Sequence, residues 1–224
     1  SCCSWMYPTA SVLYRRVCGI HCVRPLMTDH NEHWERFLDP EVVRPSLFMA
    51  TMFITVFEIL KNSIVDRIRD FYSTGWSVDG NTISPEYASN VLSRNKSAVY
   101  ASLNWLLELA AINEADLAIF EQLKSTRNLL AHRLFDVVTG QAASTHQEQF
   151  TALVELLRKI EVWWIVNVEL ATNPDFDDQE IDEAGIVPGS ILSLQMLLQV
   201  ASGSTELLKA WRNQRAKGAS SHAK

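Results

Sequence analysis

Cysteine is missing from almost the whole chain. All four cysteines lie between Cys2 and Cys22, and residues 23–224 have none. A disulfide-stapled secreted domain spreads its bridges through the fold, so that class is excluded for the body and a cytoplasmic protein is expected. "CGIHC" and the Cys2/Cys3 pair lack the second paired motif of a structural zinc site, so no metal is expected. Glycine is sparse, and no glycine-rich phosphate loop, internal repeat or alternating strand pattern occurs. Uninterrupted apolar runs fall short of the ~20 residues that span a bilayer. The longest candidate, "SLFMATMFITVFEILKNSIV", is broken by Thr51, Thr55, Glu58, Lys61 and Asn62 and reads as a core helix, so no membrane partner is expected. Positive charge is short too. At a formal charge of -6 the chain has no global pull on nucleic acid, and an RNA role requires a local basic site.

What is present is helical patterning. With 224 residues, nearly half of them apolar, the chain can close one good-sized core. Residues 1–26 show neither an apolar period nor the order of a signal peptide, and are expected to be a non-native or disordered extension ahead of Met27. Residues 27–212 are expected to form a single helical domain, with its core at about 45–170 and a C-terminal helix at about 188–212. A disordered tail at 213–224 is expected to follow. Pro45 suits a first helical position, and Phe53, Phe57, Leu60, Ile64, Ile68 and Phe71 recur at threes and fours to about Tyr72. "STGWSVDGNTISP" reads as a loop and "SPEY" as a capped helix start, with a polar break at "SRNKS" before a helix through Leu109. Asn113 is placed to cap the next helix, with Glu114 and Asp116 favoured by its dipole. "THQEQFTALVELLRKIEVWWIVNVEL" supplies another long helix. The acidic stretch "DFDDQEID" lacks the glycine and terminal glutamate of a calcium loop and reads as a solvated connector. The fold class is all-α, a helical bundle with a long antiparallel helix pair.

One helix carries a misfit. In "KSTRNLLAHRLFDVV" and the turn before it, Phe120, Leu123, Leu130, Ala131, Leu134 and Val138 share one face, and Arg127 projects from its middle. An arginine cannot shed its charge, so that position costs several kcal/mol unless partners satisfy the guanidinium. Asn128 and His132 share a flank at i, i+4, about 140° round from Arg127 in the case of His132. One reading is purely structural: Arg127 ion-pairs within the molecule, for instance with Glu58 on the first long helix, far from any cleft.

"RNLLAH" also resembles the R-N-x-x-x-H form of the arginine–histidine motif of the HEPN superfamily. "LKNSIVDRIRDFYSTGW" and "VLSRNKSAVYASLNWL" are similar to a bacterial, defence-associated branch of it, and the resemblance covers roughly Pro45 to Leu170. It implies a HEPN-like bundle. Many members are metal-independent ribonucleases that act as homodimers, with motif helices of both subunits lining one cleft, as toxins or phage-defence effectors. Arg127, Asn128 and His132 are then the catalytic residues, and no cofactor is needed. Some members carry, two residues after the histidine, a tyrosine that an antitoxin modifies. Leu134 stands there, so that control is not implied, although a cognate antitoxin of another kind fits the class. Other members are non-catalytic modules that bind RNA, nucleotide or a protein partner.

The chemistry suits the residue types. Histidine exchanges a proton near neutral pH, and a fixed guanidinium holds the phosphate and the charge that builds on it. Lys124 and Arg133 beside the motif, with Arg94 and Lys96 in "SRNKS", are the candidate RNA-backbone contacts. Trp163 and Trp164 are expected in core or dimer packing in preference to base stacking.

Overall fold

The structure is a computed structural model that describes residues 28–78, 80–139, 146–176 and 179–221. The extension at 1–26 and its cysteines therefore lie outside the described residues. The fold is mostly helical and is organised by one helix. Asp39 caps α2 (Pro40–Phe71), its side chain accepting from the Glu41 amide at 2.9 Å, and Pro40 opens the first turn. The expected start at Pro45 is thus five residues late: Asp39–Pro40 is the cap, and Pro45 lies inside the helix at the expense of one backbone bond to Glu41. By composition alone α2 is long and apolar enough to cross a membrane. Here, however, Phe53, Leu60, Ile64 and Ile68 are fully buried against neighbouring helices.

Those neighbours are α1 (Thr28–Leu38), α4 (Ala98–Glu108), α5 (Glu114–His132), α6 (Leu134–Val138) and α7 (His146–Trp164), all of which pack on α2. Phe53 meets Phe150, Ser63 and Arg67 meet Glu161, and Phe71 meets Trp164. Contacts advance together along α2 and α7, so these two run in the same sense. Helix α5 runs against α7, since Asp116 pairs with Lys159 and Thr126 with Gln149. At one end Trp105 stacks on Trp164 with centroids 5.9 Å apart, and Trp163 meets Trp164 edge-on at 5.2 Å. Trp164 is buried in the core and Trp163 half-buried beside it. Past Trp164 the helix widens into a π-helical turn, Ile165–Leu170.

Two segments differ from expectation. The "STGWSVDGNTISP" stretch is a hairpin, with β1 (Ser73–Ser77) antiparallel to β2 (Gly80–Ile83) and Gly80 at φ 111°. Both faces are largely exposed, Trp76 by 83%, so no apolar alternation marks it. A short capped helix, α3 (Pro85–Asn90), follows it as read from "SPEY". The C-terminal helix expected at 188–212 is two helices, α8 (Gly189–Ala201) and α9 (Glu206–Ser221), parted at Gly203 with φ 90°. Polar residues after 213 continue α9 to Ser221, as their Ala, Arg, Gln and Lys content allows.

Candidate functional site

Helix α5 begins as its sequence dictates. Asn113 accepts from the Asp116 amide at 3.1 Å and Asp116 accepts from the Asn113 amide at 2.8 Å, a reciprocal capping box. It ends one residue after the motif histidine's predecessor, at His132, and Arg133 (φ -132°) breaks it before α6. Leu134 and Val138 thus belong to a second short helix, and Ala131 is exposed; the buried α5 face is Phe120, Leu123 and Leu130.

Arg127 is half-buried between α5 and α2. Its Nη2 lies 2.5 Å from Glu58 Oε1, and its Nη1 donates to Asn128 Oδ1 at 3.4 Å. Its Nε is buried and makes no hydrogen bond. The other carboxylate oxygen of Glu58 accepts from Lys61 Nζ at 3.0 Å. Burial pushes the Glu58 carboxyl up, but hydrogen bonds from Lys61 and Arg127 outweigh it and leave the carboxyl below its ordinary range. Across the same hollow, Lys124 Nζ donates to the Tyr100 hydroxyl and lies 4.8 Å from the ring centroid. That bond holds the Lys124 ammonium's pKa above the usual value, against the opposing effect of burial.

These groups enclose a cavity of about 220 Å³, floored by Phe57 and Phe120 and rimmed by Ser97 and Asn128. Phe57 and Phe120 stack with centroids 5.7 Å apart, a rigid apolar base. Lys61, Lys124 and Arg127 supply three cations against the single carboxylate of Glu58. In a chain of net negative charge this is a local basic pocket. Arg127, Asn128 and Lys124, neighbours on one helix, all line this pocket. Lys61 and Tyr100 were not singled out from sequence; the only sign of Lys61 is its i, i+3 spacing from Glu58 on a helix.

The remaining candidates stand apart. His132 is exposed and does not line the cavity, and among the described residues none hydrogen-bonds to it. Arg133 Nε is 2.7 Å from Asp136, and Arg94 is held by Glu108 and the Asn90 carbonyl. Lys96 is exposed in the loop next to Ser97. A larger cavity, about 490 Å³, opens beside Arg158 and Lys159. Its lining has no surplus of positive charge, since Arg158 and Lys159 share it with Glu155 and Glu183. Arg158 donates to the carbonyls of Glu183, Ala184 and Ile186, and Lys159 pairs with Asp116 at 2.5 Å. The smaller cavity therefore has the stronger claim on an anion. Among the described residues no group of three His, Cys, Asp or Glu side chains is placed to hold a metal ion. No family model, curated protein or solved structure matches the chain.

Proposed function

We propose that the chain is a metal-independent endoribonuclease of HEPN type, a bundle in which α5 and α7 form the long antiparallel pair. It acts in the cytoplasm as a bacterial toxin or phage-defence effector, held by a cognate antitoxin. The observation that carries this reading is the convergence of Arg127, Lys124 and Lys61 on one small cavity with a surplus of positive charge. A phosphodiester is the anion that such a pocket suits.

In the proposed reaction the ribose 2′-oxygen attacks phosphorus and the P–O5′ bond breaks. His132 of one copy takes the 2′-hydroxyl proton, and a second histidine protonates the departing 5′-oxygen. Arg127 and Lys124 hold the phosphate oxygens as charge builds on them. Products are a 2′,3′-cyclic phosphate and a 5′-hydroxyl. His132 stands outside the cavity of its own chain, so the proposed reaction requires a homodimer with two motif helices facing one cleft. Phosphate binding there exchanges Glu58 for a phosphodiester at Arg127, and further charge builds on that group in the transition state.

The test is incubation of the purified chain with RNA in EDTA. Cleavage with cyclic-phosphate ends is expected, lowered at least about 100-fold by His132→Ala and by Arg127→Ala. RNA left intact at enzyme excess sinks the reading. The Arg127–Glu58 ion pair is what the purely structural reading expects, except that it borders a cavity in place of lying far from any cleft. The alternative within the family is a non-catalytic HEPN module binding RNA, nucleotide or a protein partner. Tight RNA binding without cleavage selects it.

A further inference from the structure

Helix α8 is apolar on two opposite sides, which a helix on the surface of a bundle has no use for. Its inner side carries Ile191, Leu194 and Leu198, which share a cavity of about 270 Å³ with Phe150 and Val154 of α7. At 100° per residue, Leu192, Met196 and Val200 form a second stripe about half a turn away. These three are 51%, 45% and 55% exposed. The stripe is continuous for the length of the helix, where scattered surface leucines would need no explanation.

We propose that this outer stripe of α8 docks against the same stripe of a second copy of the chain, the two helices antiparallel about a two-fold axis near Met196. The argument is charge. The connector ahead of α8 (residues 173–188) has six carboxylates and no lysine or arginine. Helix α9, which begins just past the other end of α8, has four cations and one carboxylate. An antiparallel pairing lays each α9, through Arg212 and Arg215, beside the partner's Asp175, the partner's Glu180 and the partner's Asp182, Lys209 being paired with Glu206 of its own helix. A two-fold interface must be self-complementary, and a chain acidic at one end of an apolar stripe and basic at the other meets that condition. The segment Glu183–Ala201 is also apolar enough by composition to cross a membrane. Against an anionic lipid surface, however, the connector next to it would be repelled, so a protein surface fits better. This interface is separate from the α5 cleft, and assembly mass reads it without reference to ribonuclease activity.

The experiment is light scattering after gel filtration of the full chain at micromolar concentration, with circular dichroism to confirm helicity. Met196→Lys is expected to halve the mass of the wild-type assembly. Arg212→Glu with Arg215→Glu should weaken self-association at least tenfold, and adding Asp175→Lys with Glu180→Lys should restore it. The proposal is overturned if the wild-type chain is monomeric, if Met196→Lys leaves the mass unchanged, or if the four-fold charge swap restores nothing. It is equally overturned if a monomeric chain co-sediments with phosphatidylserine vesicles and Met196→Lys abolishes that binding.

Discussion

Helix α2 takes part in two arginine–glutamate pairs that look alike on paper and differ in everything around them. Toward its C-terminal end, Arg67 Nη1 lies 2.6 Å from Glu161, whose other oxygen accepts from the Ser63 hydroxyl. A second carboxylate, Glu169, takes the other arm of Arg67, and the guanidinium sits 5.4 Å from the centroid of the Trp164 ring. Glu161 is only 7% exposed, and every oxygen it has is used. Nearer the middle, Glu58 serves Arg127 and Lys61 together, beside a cavity, with Lys124 as a third cation and the Arg127 Nε unbonded. The first network has anions to spare, and its central carboxylate is buried. The second has cations to spare and a void. A closed network specifies packing, whereas the open one leaves positive charge that its single carboxylate does not balance.

Four measurements would break or sharpen that contrast. The largest effect belongs to Glu161→Ala, which strands Ser63 and Arg67 in the α2–α7 contact. It should cost about 3 kcal/mol in urea-unfolding stability. Glu58→Ala, at a half-open site, should cost less than about 1 kcal/mol. Equal losses would erase the distinction. Next, Glu58→Gln removes the internal competitor of a bound phosphate and should raise affinity for a uridine homopolymer roughly fivefold, as expected for one screened charge pair. Arg67→Ala should leave that affinity unchanged.

A smaller effect is expected from acid. The folded Glu58 carboxyl lies below its ordinary value, so its contribution to stability is present above the ordinary carboxylate range and is lost as pH falls through the depressed folded value. Thermal melts of wild type and Glu58→Gln should therefore differ near neutrality and converge at lower pH. A constant gap would assign the pairing no part in stability. The smallest effect is expected from Arg94→Ala. Its guanidinium is committed to Glu108 outside the cavity, so RNA affinity measured by filter binding should stay within about twofold.

Much of the helical framework was legible because its signals are local. Asn113 and Asp116 announce the start of α5, and the spacing from Phe53 to Ile68 announces the buried face of α2. The Arg127–Glu58 pair was also legible, since an arginine on an apolar face demands a carboxylate and α2 offers one. The hairpin was not. A strand pair with two exposed faces has no hydrophobic period, and its Gly80 reads equally as loop. Nor did the α5 break at Arg133 show, because no glycine or proline marks it and the apolar spacing runs on through Leu134. The cavity depends on which side chains from α2, α4 and α5 meet. Tyr100 and Lys61 therefore became visible only in three dimensions.

The π-helical turn at Ile165–Leu170 gives the closed network a vulnerability of its own. In an unbroken α-helix Glu169 would sit about 80° round from Glu161, too far for one guanidinium to serve both. A turn that closes at i+5 takes in an extra residue and winds that angle back toward zero. Arg67 can therefore grip two carboxylates because the helix is one residue too long for regular winding. Deleting a residue between 165 and 168 would leave α7 intact and shift only the phase of the turn after it, carrying Glu169 away from Arg67. At this point of the fold irregular winding is what brings a second carboxylate to the same guanidinium.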